Sequence, residues 1–536
     1  MYYSLFEWFN PLWKSDKDRY RDEHVWPQMK ELINTYQPDV FWTDGDWDVN
    51  DEKWKSTEFI AWMYNQSPVK DRVVTYDRWG SNVRFHHGSV YTPEYQPDLD
   101  FEDHYWEESR GMGASYGYNR EEDAWDYNSA QSLVLQLIDK ASRGGNFLLD
   151  IGPDEHGKIP PIMQERLLQI GDWLKINGEA IYNTERWKIH SQWNEGKRDY
   201  KPAGGSGDLL LKLTVDPDPG YAVKEVFYTY NPKTNVLYAI LPRYPSDRKM
   251  RLKGLGLTQN KKLTLLSTGE SLNNKAENGD LVIDFPIYDP NKFKAPYAYA
   301  IRIDDFGKFA PKPTILLDYK NDPLKPSVSI QSAAGTKIYY GIGKEPADLY
   351  TGPFAISTSA MIYAIAIDES AKDAISSGIA SIEAKTYQWM NALTSRKYST
   401  QISFEYHEPA GKVSMATLEE QVTIKGHSPT ISLLPALRKD RFALRFTGYV
   451  KIENSAIYNW FIASDDGSKL YIDDELIIDN DGDHGTVEKQ GKMALKKGYH
   501  TIRVDYFDSG GGNELKVSIQ GPGTAKMDLP STMLYH

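Results

Sequence analysis

The chain contains no cysteine. Disulfides, thiolate nucleophiles and thiolate metal ligands are therefore excluded, and the redox compartment is left open. Positive charge is in deficit: 62 Lys and Arg stand against 75 Asp and Glu, a net charge of −13. A nucleic acid is accordingly not an expected partner. No apolar run is long enough to cross a bilayer, so no membrane span is expected. The opening "MYYSLFEWFNPLW" lacks a signal-peptide pattern and reads as a buried strand running straight into a loop. That start sets the expectation that further sequence precedes it. The glycine run "SGGGN" (509–513) is followed neither by Lys-Ser or Lys-Thr nor by a helix, so it is no phosphate cradle.

What is present is length and aromatic mass. At 536 residues the chain exceeds one compact core, and several domains are expected. Aromatics reach 13%, with 36 Tyr and 15 Trp, which suits proteins that pack ring faces on sugars but also suits large cores. Residues 1–185 alternate strand-like and helix-like stretches. "YYSLF", "DVFWTD", "DRVVTYDRW", "DHYWEE" and "NFLLDIGP" read as strands. "DEHVWPQMKELINTY" reads as a helix with Val25, Met29, Leu32 and Ile33 on one stripe. "STEFIAWMYN" reads as a second, capped by Ser56 or Thr57. "SAQSLVLQLIDKASRGG" places Leu133, Leu137 and Ile138 on one face and stops at Gly144; "PPIMQERLLQIGDWLKINGEAIY" is amphipathic with Pro at its start. Repeated βα units imply a parallel sheet, open or closed into a barrel.

The remainder changes character. Residues 186–308 hold short strands separated by turns, the pattern of a β-sandwich, with "KPAGGSGD" as a loop. After the Pro-punctuated "FGKFAPKPT", residues 309–385 and 386–536 form two further β-rich blocks. The fold class expected is thus multidomain: an α/β region followed by three all-β sandwiches.

Candidate chemistry gathers in "FWTDGDW" (41–47). Trp42 and Asp44 are two apart, so a strand places them on one face, and Gly45 then breaks the strand. Asp-Gly is also a common turn pair, so a plain turn accounts for the same residues. Arg78 ends "VVTYDRW", with Val74 and Tyr76 on its face, and Glu107 sits in "HYWEES". Ligand sites of β/α barrels form where strands end. Two carboxylates from different strands suit glycoside chemistry, one as nucleophile and one as general acid/base. His86 and His87 are adjacent, point opposite ways on an extended segment and make a poor metal pair. The loop "DNDGDHG" (479–485) fails as an EF-hand, because loop positions six and twelve hold His484 and Gln490. "SDDGS" (464–468) offers Asp465 and Asp466 as a candidate calcium pair.

The run "FWTDGDW … STEFIAWMYNQSPVKDRVVTYDRWGSN … HHG … HYWEESRGMGASYGYNR … GGNFLLDIGP … ERLLQIGDWLKINGEAIY" resembles the α-L-fucosidases of glycoside hydrolase family 29. The resemblance is dense over residues 1–185 and continues through the sandwich to about residue 306. It implies a TIM-like barrel and a retaining double displacement, with Asp44 as nucleophile and Glu107 as acid/base. Glu108 is the fallback for acid/base and Asp46 the fallback for nucleophile. It also implies that Trp42 lines the fucose pocket and that Arg78 contacts sugar or nucleophile. A tyrosine at the preceding strand end is Tyr2 or Tyr3, and Tyr3 is chosen. No cofactor is expected in this region. Such barrels carry about three more β/α units ahead of "YYSLFEW", with histidines, a glutamate and tryptophans that bind fucose. Those units are missing here, so the expectation is a partial barrel of doubtful turnover alone. Five strands cannot close an eight-stranded barrel.

The segment "KIYYGIGKEPADLYTGPFAISTSAMIYAIAID" resembles the small β-sandwich of chitobiase-like enzymes. "FTGYVKIENSAIYNWFIASDDGSKLYIDDELIIDNDGDHG … GYHTIRVDYFDSGGGNELKVSIQGPG" resembles the protective-antigen-type (PA-fourteen) module, whose lectin members hold calcium through an acid pair matching Asp465 and Asp466. The resemblances imply a retaining exo-α-L-fucosidase acting on fucosylated oligosaccharides or glycoconjugates. They also imply export, to an extracellular, periplasmic or lysosome-like location, and leave oligomerisation open. The rival expectation is a non-catalytic glycan-binding or spacer fragment working through the C-terminal modules. A different glycosidase is disfavoured by the strand-end motifs.

Overall fold

The computed structural model describes residues 1–95, 101, 104–201, 209–320, 322–370, 374–393 and 398–536. The expected loop at 201–208 lies outside them beyond Lys201. The chain divides into two compact units, Met1–Ala310 with Ile367–Gly378, and Pro311–Ala366 with Ile379–His536.

The first unit opens with five parallel strands: β1 (Tyr2–Ser4), β2 (Val40–Asp44), β3 (Val74–Thr75), β4 (Glu107–Gly111) and β5 (Asn146–Asp150). They form a β1-β2-β3 sheet and a β4-β5 pair. Tyr91 and Glu94 make isolated parallel bridges to Trp106 and Ser109, so residues 91–94 run alongside β4. The "DHYWEE" strand is displaced from its expected position: Glu107 opens β4 rather than closing it.

Four main helices accompany the strands: α1 (Trp26–Tyr36), α2 (Ser56–Asn65), α3 (Ala130–Ser142) and α4 (Pro161–Asn177). Val25, Met29 and Ile33 are buried as their spacing predicts, although Val25 falls in a π-turn (Arg21–Val25) that precedes α1. They pack with Leu5, Phe41, Phe59, Met63 and Trp79 into one core beneath β1–β3. The expected cap of α2 is not used. Ser56 instead donates to the Trp79 carbonyl, and Lys55, in a left-handed conformation, precedes the helix without a side-chain cap.

Helix α3 departs from its one-faced pattern. Ser129 caps it, its hydroxyl accepting from Ser132 N at 3.1 Å, and nearly all its residues are buried. The reason lies in the following β-sandwich. That domain has a six-stranded sheet, ordered β11-β10-β14-β8-β7-β6, and a three-stranded one, β12-β13-β9. These strands are β6 (Glu185–Trp193), β7 (Lys224–Asn231), β8 (Val236–Leu241), β9 (Lys249–Leu257), β10 (Leu263–Leu265), β11 (Glu270–Ser271), β12 (Asn273–Glu277), β13 (Gly279–Asp284) and β14 (Tyr299–Ile303). Every residue of β8 is buried. Alternation splits them: Leu237, Ala239 and Leu241 meet Leu252, Leu281 and Ile283 of the small sheet. Val236, Tyr238 and Ile240 meet Val134, Leu135 and Ile138 of α3 and Trp173 of α4. The Trp173 indole donates to Ala298 O at 2.9 Å. A helix sandwiched between β5 and the sheet of the next domain cannot keep a polar face.

The charged residues left inside α3 are ion-paired. Asp139 accepts from Arg143 at 2.6 Å and Lys224 at 2.7 Å, and Lys140 reaches Glu108 at 3.0 Å.

The second unit is all β. A three-stranded sheet (Thr314–Asp318, Ser327–Gln331, Phe354–Ala355) faces a four-stranded one that includes Lys337–Ile342, Ala360–Ile367 and Ala380–Ala384. Between them lies a small core of Val328, Ile330, Ile362 and Ala364. A larger sandwich of a five- and a seven-stranded sheet follows, its core built on Phe446, Trp460, Ile462, Val504 and Val517. Among the described residues no helix is long and apolar enough to cross a membrane.

Candidate active site

Strand β2 does what its spacing predicts: Phe41 and Thr43 are buried on one side, Trp42 and Asp44 line the other. Gly45 follows at φ 75°, and a Cβ there would come within 2.6 Å of the Phe6 side chain. Only glycine lets the chain leave β2 at this point.

Asp44 is gripped from two sides. Tyr2 OH donates to Oδ2 at 2.8 Å and Arg78 Nη1 donates to Oδ1 at 2.9 Å. Burial, then the bond to Asp44, raises the Tyr2 pKa, so the phenol stays a donor. The register explains the geometry: Tyr2 pairs with Trp42, and Tyr3 with Thr43 on the opposite face. Tyr3 therefore turns away and donates to Gln28 at 2.9 Å. The choice of Tyr3 is corrected in geometry: Tyr2, not Tyr3, is the tyrosine that reaches Asp44.

Arg78, 1% exposed, is itself held in place. Its Nε donates to Thr92 Oγ1 at 2.7 Å, and Thr92 Oγ1 donates to the buried Asp77 at 2.6 Å. Its backbone carbonyl accepts from Thr43 Oγ1 at 2.6 Å. Its guanidinium stacks 4.2 Å from the Trp42 ring, and its Nη2 pairs with Glu94. One guanidinium thus joins the carboxylates of Asp44 and Glu94. Glu94 was missed from sequence because "YTPEY" has no strand periodicity; the available signal was an acid sixteen residues beyond Arg78, which alone indicates nothing.

Glu107 is linked to Trp42 through Tyr76. Tyr76 packs 6.0 Å from the Trp42 ring and hydrogen-bonds Glu107. Burial pushes the Glu107 pKa up against that bond. The two fallback acids are engaged elsewhere. Glu108 is fully buried against Arg110 and Lys140, and Asp46 takes both arms of Arg84 at 2.9 and 3.1 Å. Arg84 also comes to 3.8 Å of Asp44. His86 and His87 are exposed on the turn that follows, and His86 Nδ1 meets Arg84 O at 2.7 Å.

In the second unit both carboxylate oxygens of Asp466 are occupied by its own loops: Oδ1 accepts from His484 N at 2.9 Å, and Oδ2 from Ser509 N and Oγ at 2.8 and 2.9 Å. Burial, then Asp466, raises the Asp465 pKa. Among the described residues no group of three or more His, Asp or Glu side chains is arranged to hold a metal ion.

Comparison with known proteins gives the context of these residues. Residues 1–179 match the Alpha-L-fucosidase family, residues 221–304 the Alpha-L-fucosidase C-terminal domain and residues 433–532 the PA14 domain. The alpha-L-fucosidase of Dictyostelium discoideum is 34% identical over 320 residues, covering 57% of this chain and 63% of that protein. The tissue alpha-L-fucosidase of Homo sapiens is 35% identical over 313 residues, covering 56% and 60%. The chain therefore spans about six tenths of the length of these relatives. A solved structure of Thermotoga maritima alpha-fucosidase with fucose covers 53% of this chain and 56% of its own, at 28% identity and a TM-score of 0.40. Residues 1–179 and 221–304 belong to the alpha-L-fucosidase family, and residues 433–532 are a PA14 domain.

Proposed function

We propose that this chain carries the nucleophile side of a retaining exo-α-L-fucosidase that removes terminal fucosyl residues from glycans. The observation that carries the reading is Arg78, whose single fork holds Asp44 and Glu94 beside the Trp42 ring. Retaining glycosidases set their two carboxyls roughly 5–5.5 Å apart, a separation that two anions on neighbouring nitrogens of one guanidinium readily meet. Asp44, aimed by Tyr2 and Arg78, attacks the anomeric carbon and forms a fucosyl ester. A second carboxylic acid protonates the departing oxygen and then takes a proton from the attacking water. Trp42 supplies an apolar wall for the sugar's methyl group.

Glu107 is assigned the acid/base role by its motif, and its raised pKa suits a group that must hold a proton until the glycosidic oxygen takes it. A second reading gives that role to Glu94. It is favoured by the shared Arg78 and by the position of Glu94 at the carboxyl end of a strand-like segment, where barrel sites form, while Glu107 begins its strand.

The five parallel strands are proposed to be part of an eight-stranded barrel. Among the described residues β1 pairs only with β2 and β5 only with β4, leaving edges that further β/α units would cover.

Hydrolysis of an aryl α-L-fucoside by this chain, beside the chain extended with its upstream coding sequence, tests the assignment. Activity in the extended form that Asp44→Ala removes is the expected result. Glu107→Gln should lose activity on fucosyl glycans, keep activity on activated aryl fucosides and be accelerated by azide. The same signature from Glu94→Gln instead establishes the second reading. If neither form hydrolyses while both fold, a glycan-binding or spacer role through the C-terminal modules takes the enzyme's place.

A further inference from the structure

The outer face of the seven-stranded sheet in the PA14 domain carries a groove of about 500 Å³, lined by Thr447, Tyr449, Tyr471, Asp474, Thr501 and Arg503 among others. Clefts of roughly 300–1,000 Å³ are the usual size for small ligands. The strands explain why these side chains meet. Tyr449 is directly opposite Thr501, and Tyr471 directly opposite Arg503, so alternation brings all four onto one face.

Arg503 is the unusual member. Its guanidinium lies 3.8 Å over the Tyr471 ring, which fixes its plane. Its Nε is buried without a hydrogen-bond partner among the described residues, and its nearest acid, Asp505, stays at 3.5 Å. A guanidinium held flat by an aromatic ring, on a side chain that stays 38% exposed to the groove side, is pre-organised to donate to a ligand. Two carboxylates lie nearby: Asp505, which Arg445 holds at 2.8 and 3.2 Å, and Asp474, which lines the same groove. An anionic ligand would meet those carboxylates, whereas a polyol can accept from the arginine and donate to Asp474. The two tyrosine rings offer faces for sugar C–H groups, and the threonine hydroxyls add further partners.

We infer that this groove is a binding site for a neutral pyranose of a glycan, separate from the site around Asp44. It is also separate from the Asp465–Asp466 pair. Asp466 bonds to Ser509, next to Asp508, the last residue of the strand Gly498–Asp508, while the groove uses Thr501 near its start. Seven residues of strand span roughly 23 Å at the usual rise.

The position of the groove is stabilised from behind. His500 is fully buried, its Nδ1 2.6 Å from Asp473 Oδ2 and its Nε2 2.7 Å from Lys496 O. Thr501 N donates to the other Asp473 oxygen at 2.9 Å. This clamp fixes the turn that presents Asp474.

The test uses the full chain on an array of oligosaccharides ending in neutral hexoses, fucose, N-acetylhexosamines or sialic acid, followed by titration of the best binder. Binding to a neutral terminus is expected, and Tyr471→Ala and Arg503→Met should each weaken it about tenfold or more, as loss of an aromatic face or a directed donor does. Asp44→Asn, Asp466→Asn and EDTA should leave it unchanged. Thermal melting of each variant separates lost binding from lost folding, and Thr501→Val, which keeps the strand, supplies a second variant expected to weaken binding. Binding that survives Arg503→Met and Thr501→Val, that vanishes with EDTA, or that is confined to sialylated glycans overturns the inference, as does an array with no binder. Because Asp44→Asn is included, failure here is distinguishable from failure of the catalytic assignment.

Discussion

Substituting Asp139 by Asn keeps the shape of the side chain and removes its charge. Asp139 is 1% exposed and faces three cations: Arg143 at 2.6 Å, Lys224 at 2.7 Å and Lys140 at 3.7 Å. Without it, Glu108 is the remaining anion of the cluster, already shared between Lys140 and Arg110. Removing one partner of a buried ion pair costs about 3–5 kcal/mol, because the other charge is left uncompensated. In a unit of this size each kcal/mol moves the midpoint by roughly 2–4 °C, so the loss should be on the order of 10 °C. Differential scanning calorimetry of the full chain at neutral pH measures it. Burial by itself would raise the Asp139 pKa, but Arg143, Lys224 and Lys140 hold it well below the usual carboxylate range. A depressed folded pKa contributes stability that is present above the unfolded value, about 3.9, and is lost as pH falls toward the folded one. The gap between wild type and Asp139→Asn should therefore persist at pH 5 and narrow only in strong acid. A midpoint shift below about 1 °C at neutral pH would refute the claim that this cluster fastens α3 between the parallel strands and the sandwich.

Tyr2→Phe removes a hydrogen bond to the Asp44 carboxylate and should lower kcat of the catalytically competent enzyme by about one to two orders of magnitude, in line with roughly 1.5–3 kcal/mol for a bond to a charged group. Tyr3→Phe should leave kcat within about twofold and affect only melting. Gly45→Ala forces a left-handed φ of 75° and a contact at 2.6 Å, so loss of roughly 1–3 kcal/mol and of activity together is expected in a urea titration with parallel assay. If Glu107 is the acid, the alkaline limb of kcat/KM should lie above the ordinary glutamate value and vanish in Glu107→Gln, because burial favours its protonated form. A limb unchanged in that variant would exclude Glu107 from proton transfer.

The features legible in the sequence are those set by local periodicity. Trp42 and Asp44 share a face because a strand alternates, and Gly45 ends it because the backbone must turn against Phe6. What stayed illegible depends on register and on neighbours distant in sequence. Nothing in "YYS" says which tyrosine faces Asp44; pairing Ser4 with Asp44 decides it. Glu94 follows a proline in a segment that touches β4 only through isolated bridges, so no pattern marks it. Helix α3 reads as one-faced because the sandwich strands that cover its other side lie more than eighty residues further on. The position of Arg78 was legible, but the Thr92–Asp77 relay that holds it was not, since it crosses two loops.

The most direct measurement of the central claim is trapping the covalent intermediate. The catalytically competent enzyme is treated with a 2-fluoro α-L-fucosyl donor bearing an activated leaving group, digested and mapped by mass spectrometry. The fluorofucosyl adduct is predicted on Asp44, with none in Asp44→Asn. An adduct on any other carboxylate, or full turnover of natural fucosides with no adduct formed, would contradict the assignment of Asp44 as the nucleophile.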